Sequence, residues 1–88
     1  MKSTDGERSS KDDSKSSPLQ TVDRAMQILA SFSPDHQDWG VSELANHFGW
    51  DKSTAQRLLA SLAARDFLIS DPVTRRHQLG PQVWHLAQ

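Results

Sequence analysis

The 88-residue sequence predicts a mainly helical domain closed by a small β-hairpin, on three observations. Two segments, Leu19–Ser33 and Val41–Arg65, carry apolar residues at helical spacing, and the second is interrupted once, at Gly49. After them a short apolar run, Phe67-Leu68-Ile69-Ser70, meets the turn formers Asp71-Pro72-Val73-Thr74 and a second extended run, Arg75-Arg76-His77-Gln78-Leu79. The breakers fall between these segments: Ser33-Pro34 after the first helix and Gly80-Pro81 after the hairpin.

Length supports one domain. Charged residues are 24% and hydrophobic ones 35%, which suits a small globular domain with a polar tail. The chain has no cysteine, so disulfides, thiolate nucleophiles and Cys-ligated zinc are excluded. No apolar run approaches the ~18 residues a membrane span needs, and the N-terminus lacks the apolar core of a signal peptide. A cytoplasmic protein is therefore expected. Residues 1–17, MKSTDGERSSKDDSKSS, hold seven Ser or Thr, four bases and four acids, with no apolar residue after Met1. Nothing there offsets the entropy of ordering, so residues 1–18 are expected to be a disordered polar tail, with Pro18 as its boundary. Residues 19–80 then form the domain, and 81–88 begin a further helix.

In the first helix Thr21 is the expected cap, and Val22, Ala25, Met26, Leu29 and Phe32 form one apolar stripe with Ile28 at its edge. The polar loop after it holds Trp39, expected to cover the end of the core, and Gly40-Val41 are expected to form a short strand. Next, VSELANHFGWDKSTAQRLLASLAAR (41–65) reads as a short helix, a tight turn at Gly49 and a longer helix. Ser42 is the expected cap of the first and Asp51 of the second, since both side chains accept from orphan N–H groups. In the longer helix Ala55, Leu58, Leu59 and Leu62 share one face. At ~100° per residue the opposite face carries Ser53, Gln56, Arg57, Ala60 and Ala64. Two helices joined by a turn of about 3–4 residues containing Gly form a helix-turn-helix, whose second helix enters the DNA major groove. With the preceding helix and the hairpin this is a winged helix-turn-helix, a three-helix core plus a two-stranded wing. Beyond Gly80-Pro81, Val83, Trp84 and Leu86 begin another helical pattern, and either the chain is a fragment or this helix needs a partner to cover Trp84 and Leu86.

Net charge is −1, but it is unevenly spread. Gln20 to Asp51 holds one base against five acids, whereas Lys52 to His77 holds five bases against two. The local field of one surface, not the total, governs attraction to phosphate. Other chemistries fit poorly. The four histidines are scattered, with no i, i+4 pair, so no metal site is expected. No G-x-S-x-G setting activates a serine, and no Gly-rich loop cradles a phosphate, so neither an enzyme nor a bound cofactor is expected. Two functions remain. One is sequence-specific DNA binding, with Ser53 and Gln56 flanking Arg57 to reach base edges. The other is a winged helix used only for protein interaction, which would place large apolar anchors on the exposed face from Lys52 to Ala60. That face offers Ser, Gln, Arg and Ala.

Several blocks resemble IclR-type bacterial transcription regulators. They are TVDRAMQIL (21–29), VSELA (41–45), KSTAQRLL (52–59), Asp71-Pro72-Val73-Thr74 and Leu79-Gly80, and the resemblance covers roughly Leu19 to Gln88. The resemblance implies double-stranded operator DNA as partner, a homo-dimer or tetramer, and a linker helix beginning over 81–88. It also implies a small-molecule effector bound by a C-terminal domain lying outside this sequence. Lys52, Ser53, Thr54 and Arg57 match the recognition-helix positions, Arg24 matches the arginine of the first helix, and Arg76 the basic residue of the wing. Ser42, Gln56 and Arg75 complete the expected DNA-binding set. The chain departs from the pattern at four places. Asp51 replaces Pro or a small residue, Asp66 and Arg75 replace glycines, and His77 replaces Tyr. A left-handed cap is accordingly expected at Asp66, while Arg75 takes a place where glycine's backbone freedom is usual and the conformation of the wing's turn stays open.

Overall fold

The computed structural model describes residues 18–86, and the tail expected over residues 1–17 lies outside them. The order is α1 (Pro18–Ala30), α2 (Val41–Phe48), α3 (Lys52–Ala64), β1 (Leu68–Ser70), β2 (His77–Leu79) and α4 (Pro81–Leu86). This is the mainly helical, two-stranded architecture the sequence predicts.

Helix α1 starts at Pro18, where a missing N–H costs nothing because the first helical turn has no acceptor for it. Thr21 consequently lies inside the helix rather than at its cap. The buried side also differs from expectation. Ile28 is fully buried, while Val22 and Met26 are 59% and 60% exposed. The helix packs against α3 on one flank only, so Leu19, Val22 and Met26, at i, i+3 and i+7, remain on the surface. The helix closes through Ser31, whose N–H and hydroxyl both donate to the Ile28 carbonyl.

The loop after α1 is pinned by main-chain pairs. Ser33 and His36 exchange N–H···O bonds at 3.1 and 3.0 Å, and Trp39 and His77 do the same at 2.9 and 2.8 Å. The extended segment expected at Gly40-Val41 therefore falls at Trp39, because Gly40 caps α2 and Val41 already belongs to it. Trp39 is buried, as expected of a core cover, and its indole N–H donates to the Ser31 carbonyl.

Ser42 is not the cap of α2. The cap falls two residues earlier, at Gly40, and Glu43 folds back so that its Oε1 accepts the Gly40 N–H at 3.2 Å. Gly49 ends α2 at φ 73°, a left-handed position suited to glycine, and directs its N–H to the Ala45 carbonyl. Asp51 occupies the cap position of α3, but its carbonyl, not its carboxylate, makes the bond, accepting from Ala55 at 3.1 Å.

The apolar face expected of α3 is the one observed. Ala55 and Leu59 are fully buried and Leu58 and Leu62 are half-buried. They pack with Ile28, Trp39, Leu44, Ala45 and Leu68 into one core fed by α1, α2, α3 and β1. Asp66 leaves α3 at φ 66°, the left-handed cap that the resemblance implies. Phe67 closes the end by donating to the Leu62 carbonyl at 2.9 Å.

The hairpin pairs Leu68 with Leu79, Ile69 with Gln78 and Ser70 with His77. Its strands are shorter than expected, because residues 71–76 form the connecting turn. Asp71 organises it: Oδ1 accepts from the N–H groups of Val73 (2.7 Å) and Thr74 (3.2 Å), and its carbonyl accepts from Arg75 at 2.8 Å. Those donors hold the Asp71 carboxyl below its ordinary range. Arg75 has φ 65°, a left-handed value at the place where the family pattern has glycine, and Arg75 and Arg76 lie in the turn and not in the return strand.

Candidate nucleic-acid interface

The outward side of α3 and the turn of the hairpin face each other across a cleft of about 650 Å³, with the start of α2 as its third wall. Lys52, Gln56 and Ala60 line it from α3, and Thr74, Arg75 and Arg76 from the turn. Lys52, Ser53, Gln56, Arg57, Ala60 and Ala64 are all exposed, as the helical spacing predicts. The N-terminal half of this surface carries bases, an amide and a hydroxyl, and the C-terminal half is small.

Thr54 does not belong to that surface. Its side chain is buried, on the same flank of α3 as Leu58, because a step of four residues returns to nearly the same direction. It lines instead a smaller depression of about 200 Å³ between α1 and α3, together with Arg24, Arg57 and Ser61. Its burial sets Thr54 apart from the exposed face of α3. Ser42 is exposed at the start of α2 and lines the main cleft.

Arg24 is held by an aromatic face. Its guanidinium carbon lies 5.2 Å from the centre of the Trp50 ring, a cation–π distance. Trp50 stacks on Phe48 at 4.5 Å, and ring contacts continue through His47 and Trp39 to His36. This row gives Trp50 a fixed plane and puts Arg24 beside the α3 depression.

The two arginines of the turn have different surroundings. Arg76 Nε donates to Asp38 Oδ1 at 2.8 Å, and Nη2 donates to Glu43 Oε1 at 2.6 Å and to the Asp38 carbonyl at 3.3 Å. These carboxylates push the Arg76 guanidinium above its usual value, Asp38 having the larger effect. Glu43 is held below the usual carboxylate range, first by the Gly40 N–H and then by Arg76. His36 Nε2 lies 3.6 Å from the other Glu43 oxygen. Arg75 is exposed and takes part in no ion pair among the described residues. Sequence reasoning missed Asp38 and Glu43. The spacing from Gly40 to Glu43 carried a capping signal, but nothing in the sequence marked Asp38.

His77 closes the base of the wing. Its side chain is buried, its Nδ1 has no hydrogen-bond partner, and burial pushes its imidazole below the ordinary value of about 6.5, against the opposing pull of a Trp39 hydrogen bond. A depressed folded-state value means that the unfolded chain takes up the proton first. The stability contributed by neutral His77 is therefore fully present above pH ~6.5 and is lost as pH falls from there toward the folded value. The depressed Glu43 and Asp71 carboxyls act in the same direction at lower pH, below the ordinary carboxylate range. We expect His77→Phe to flatten the melting temperature between pH 7 and 5 relative to the parent chain. Parallel curves for the two proteins would refute the assignment.

A sequence model of the IclR helix-turn-helix domain matches residues 21–72. The glycerol operon regulatory protein of Streptomyces griseus is 32% identical over 65 residues, which is 74% of this chain and 26% of that protein. The chain thus spans about a quarter of the length of the curated relatives it matches. Among solved structures, the IclR transcriptional regulator of Alicyclobacillus acidocaldarius superposes with a TM-score of 0.71 at 31% identity, covering 75% of this chain and 27% of that one. An IclR homolog of Microbacterium hydrocarbonoxydans, solved in complex with 4-hydroxybenzoate, shares the fold at 21% identity and a TM-score of 0.68, over 75% of this chain and 27% of its own.

Proposed function

This chain belongs to the IclR helix-turn-helix family of DNA-binding transcription-regulator domains, and from that premise we propose how it reads an operator. Helix α3 enters the major groove, with Ser53, Gln56 and Arg57 toward base edges and Lys52 toward phosphate. Ala60 and Ala64 let the helix lie close to the DNA. The wing rests on the adjacent backbone or in the minor groove, and Ser42 and Arg24 meet the flanking backbone. One observation carries this reading: the exposed face of α3 is polar and basic at one end, small at the other, and continuous with a cleft walled by the wing arginines. A protein-interaction module would carry large apolar anchors on that face. The large exposed apolar residues lie elsewhere, among them Leu19, Val22 and Met26 on α1 and Trp84 and Leu86 on α4.

In the intact protein, residues 81–88 begin a linker helix, the DNA-binding unit is a homo-dimer or tetramer, and a C-terminal domain binds a small-molecule effector. The relatives' greater length supports this, as does the 4-hydroxybenzoate bound by the Microbacterium protein. We assign the cytoplasm as its compartment; no helix among the described residues is long and apolar enough to cross a membrane. The family is one of regulators, and no residue is assigned a catalytic role.

The test is selection of bound duplexes from a random pool, using this chain on a dimerising carrier, repeated with Gln56→Ala. A bidentate Gln favours adenine, so the variant should lose preference at one base position, at a cost of about 1–3 kcal/mol. An unchanged selected sequence would remove Gln56 from the base-reading set.

A further inference from the structure

Resting on that reading of the cleft, we propose that the wing arginines divide their work: Arg76 is a positioning residue that locks the wing against α2, and Arg75 is the wing's phosphate contact. Arg76 spans two elements that are far apart in sequence. Its guanidinium grips one carboxylate and one carbonyl of Asp38 and the carboxylate of Glu43. Nη1 lies 3.3 Å from where a Cβ on Gly40 would stand, so the group rests against the start of α2. One residue further along, the Trp39–His77 backbone pair ties the root of the wing to the same loop. Main chain fixes the root, and Arg76 fixes the turn.

An isolated surface ion pair contributes little, but a planar fork held by two carboxylates and a carbonyl is a network with defined geometry. The same contacts keep Arg76 from phosphate, because DNA would have to displace two negative groups already in place. Arg75 is opposite in each respect. Its left-handed backbone lifts it out of the strand alternation, its side chain is exposed, and it lines the cleft with Lys52 and Gln56 without an ion pair. It is the cation of the wing left available to a phosphate.

The test measures binding of the 88-residue chain to a mixed-sequence duplex by fluorescence anisotropy across a salt series, for the parent, Arg75→Asn, Arg76→Gln and Arg76→Lys. Asn tolerates the left-handed backbone, so the first variant removes charge without adding strain. Each phosphate contact contributes ~0.9 to the slope of log affinity against log salt. Arg75→Asn should lower that slope by ~1. Arg76→Gln should weaken binding by about five- to tenfold while changing the slope by less than half as much as Arg75→Asn does, since it removes a coupling and not a phosphate contact. In the absence of DNA, the same variant should speed amide exchange across residues 71–77. Arg76→Lys keeps the charge but loses the fork, and should bind within about twofold of Arg76→Gln.

A slope reduced by ~1 in Arg76→Gln, or parent affinity restored by Arg76→Lys, would overturn the proposal, because lysine serves a phosphate well as a point charge. Should Arg76→Gln fail to fold, the affinity of Arg76→Lys decides alone. A parent slope near zero would instead overturn the DNA reading itself, and amide exchange would still report whether Arg76 anchors the wing.

Discussion

Gly80→Ala is expected to lower the melting temperature by on the order of 15 °C, although the exchange adds only one methyl group. Gly80 sits where the end of α3, the first pair of the hairpin and the start of α4 converge. Its N–H donates to the Phe67 carbonyl at 2.8 Å, and the neighbouring Gln82 N–H donates to Asp66 at 3.0 Å. A Cβ here would lie 2.5 Å from the Asp66 carbonyl oxygen, 3.0 Å from its carbon and 3.1 Å from the Leu68 nitrogen. All three are backbone atoms, so no side chain can swing aside. Asp66 is further constrained because it already holds a left-handed conformation that closes α3. Separating the two backbones would break the Gly80–Phe67 bond and displace Leu68, a fully buried core residue.

Overpacking of this kind costs about 3 kcal/mol. A domain of this size holds only ~3–10 kcal/mol in total, at the usual ~0.05–0.15 kcal/mol per residue. Melting should therefore drop by on the order of 15 °C. Gly49 provides the contrast. It needs its positive φ, but a Cβ there would meet nothing within 4 Å, so Gly49→Ala should cost only about 1 kcal/mol of backbone strain. Circular dichroism melts of the two variants decide the matter: a Gly80→Ala chain melting no lower than Gly49→Ala would show that the close approach relaxes without cost.

These contrasts also separate what was legible in the sequence from what was not. The apolar side of α3 was legible because Ala55, Leu58, Leu59 and Leu62 repeat at helical spacing and the helix packs against several neighbours. The same reasoning misjudged α1, where the stripe through Val22 and Met26 is as regular but stays mostly exposed among the described residues. Periodicity reports which residues are apolar, not how many elements arrive to cover them. Caps behaved similarly: Ser42 has the right chemistry, but α2 is capped two residues sooner, at Gly40, whose N–H Glu43 accepts. The left-handed cap at Asp66 followed from the resemblance to a family pattern with glycine at that place, and neither it nor the left-handed Arg75 could be read from composition. The clamp on Arg76 lay beyond reach, since Asp38 and Glu43 are 38 and 33 residues away and only the folded loop brings them together. Thr54 entered the expected contact set through the matching block KSTAQRLL, whereas helical spacing alone leaves it off the exposed face, and it is buried in the fold.

The largest functional effect should come from joining two copies. A single domain presents one α3 and one wing, so it makes few phosphate contacts and should bind in the non-specific range of ~10⁻⁴ to 10⁻⁶ M, with strong salt dependence. Placing two copies on a dimerising carrier makes the second binding step intramolecular, at an effective concentration near the millimolar range. That alone should tighten binding by about 10² to 10⁴, without any new contact. The gain depends on geometry: both copies of α3 must meet the major groove on the same side of the duplex, which requires inverted half-sites with centres about one turn apart, some 10–10.5 base pairs. Inserting five base pairs turns one half-site to the opposite side, and the gain should then disappear. The salt slope of the joined protein on the correctly spaced site should be about twice that of the single domain, because the number of neutralised phosphates doubles. Anisotropy titrations of both proteins on the two duplexes measure all of this. If the joined protein binds the two spacings equally, the two domains are not reading paired half-sites, and the placement of α3 in successive major grooves is wrong.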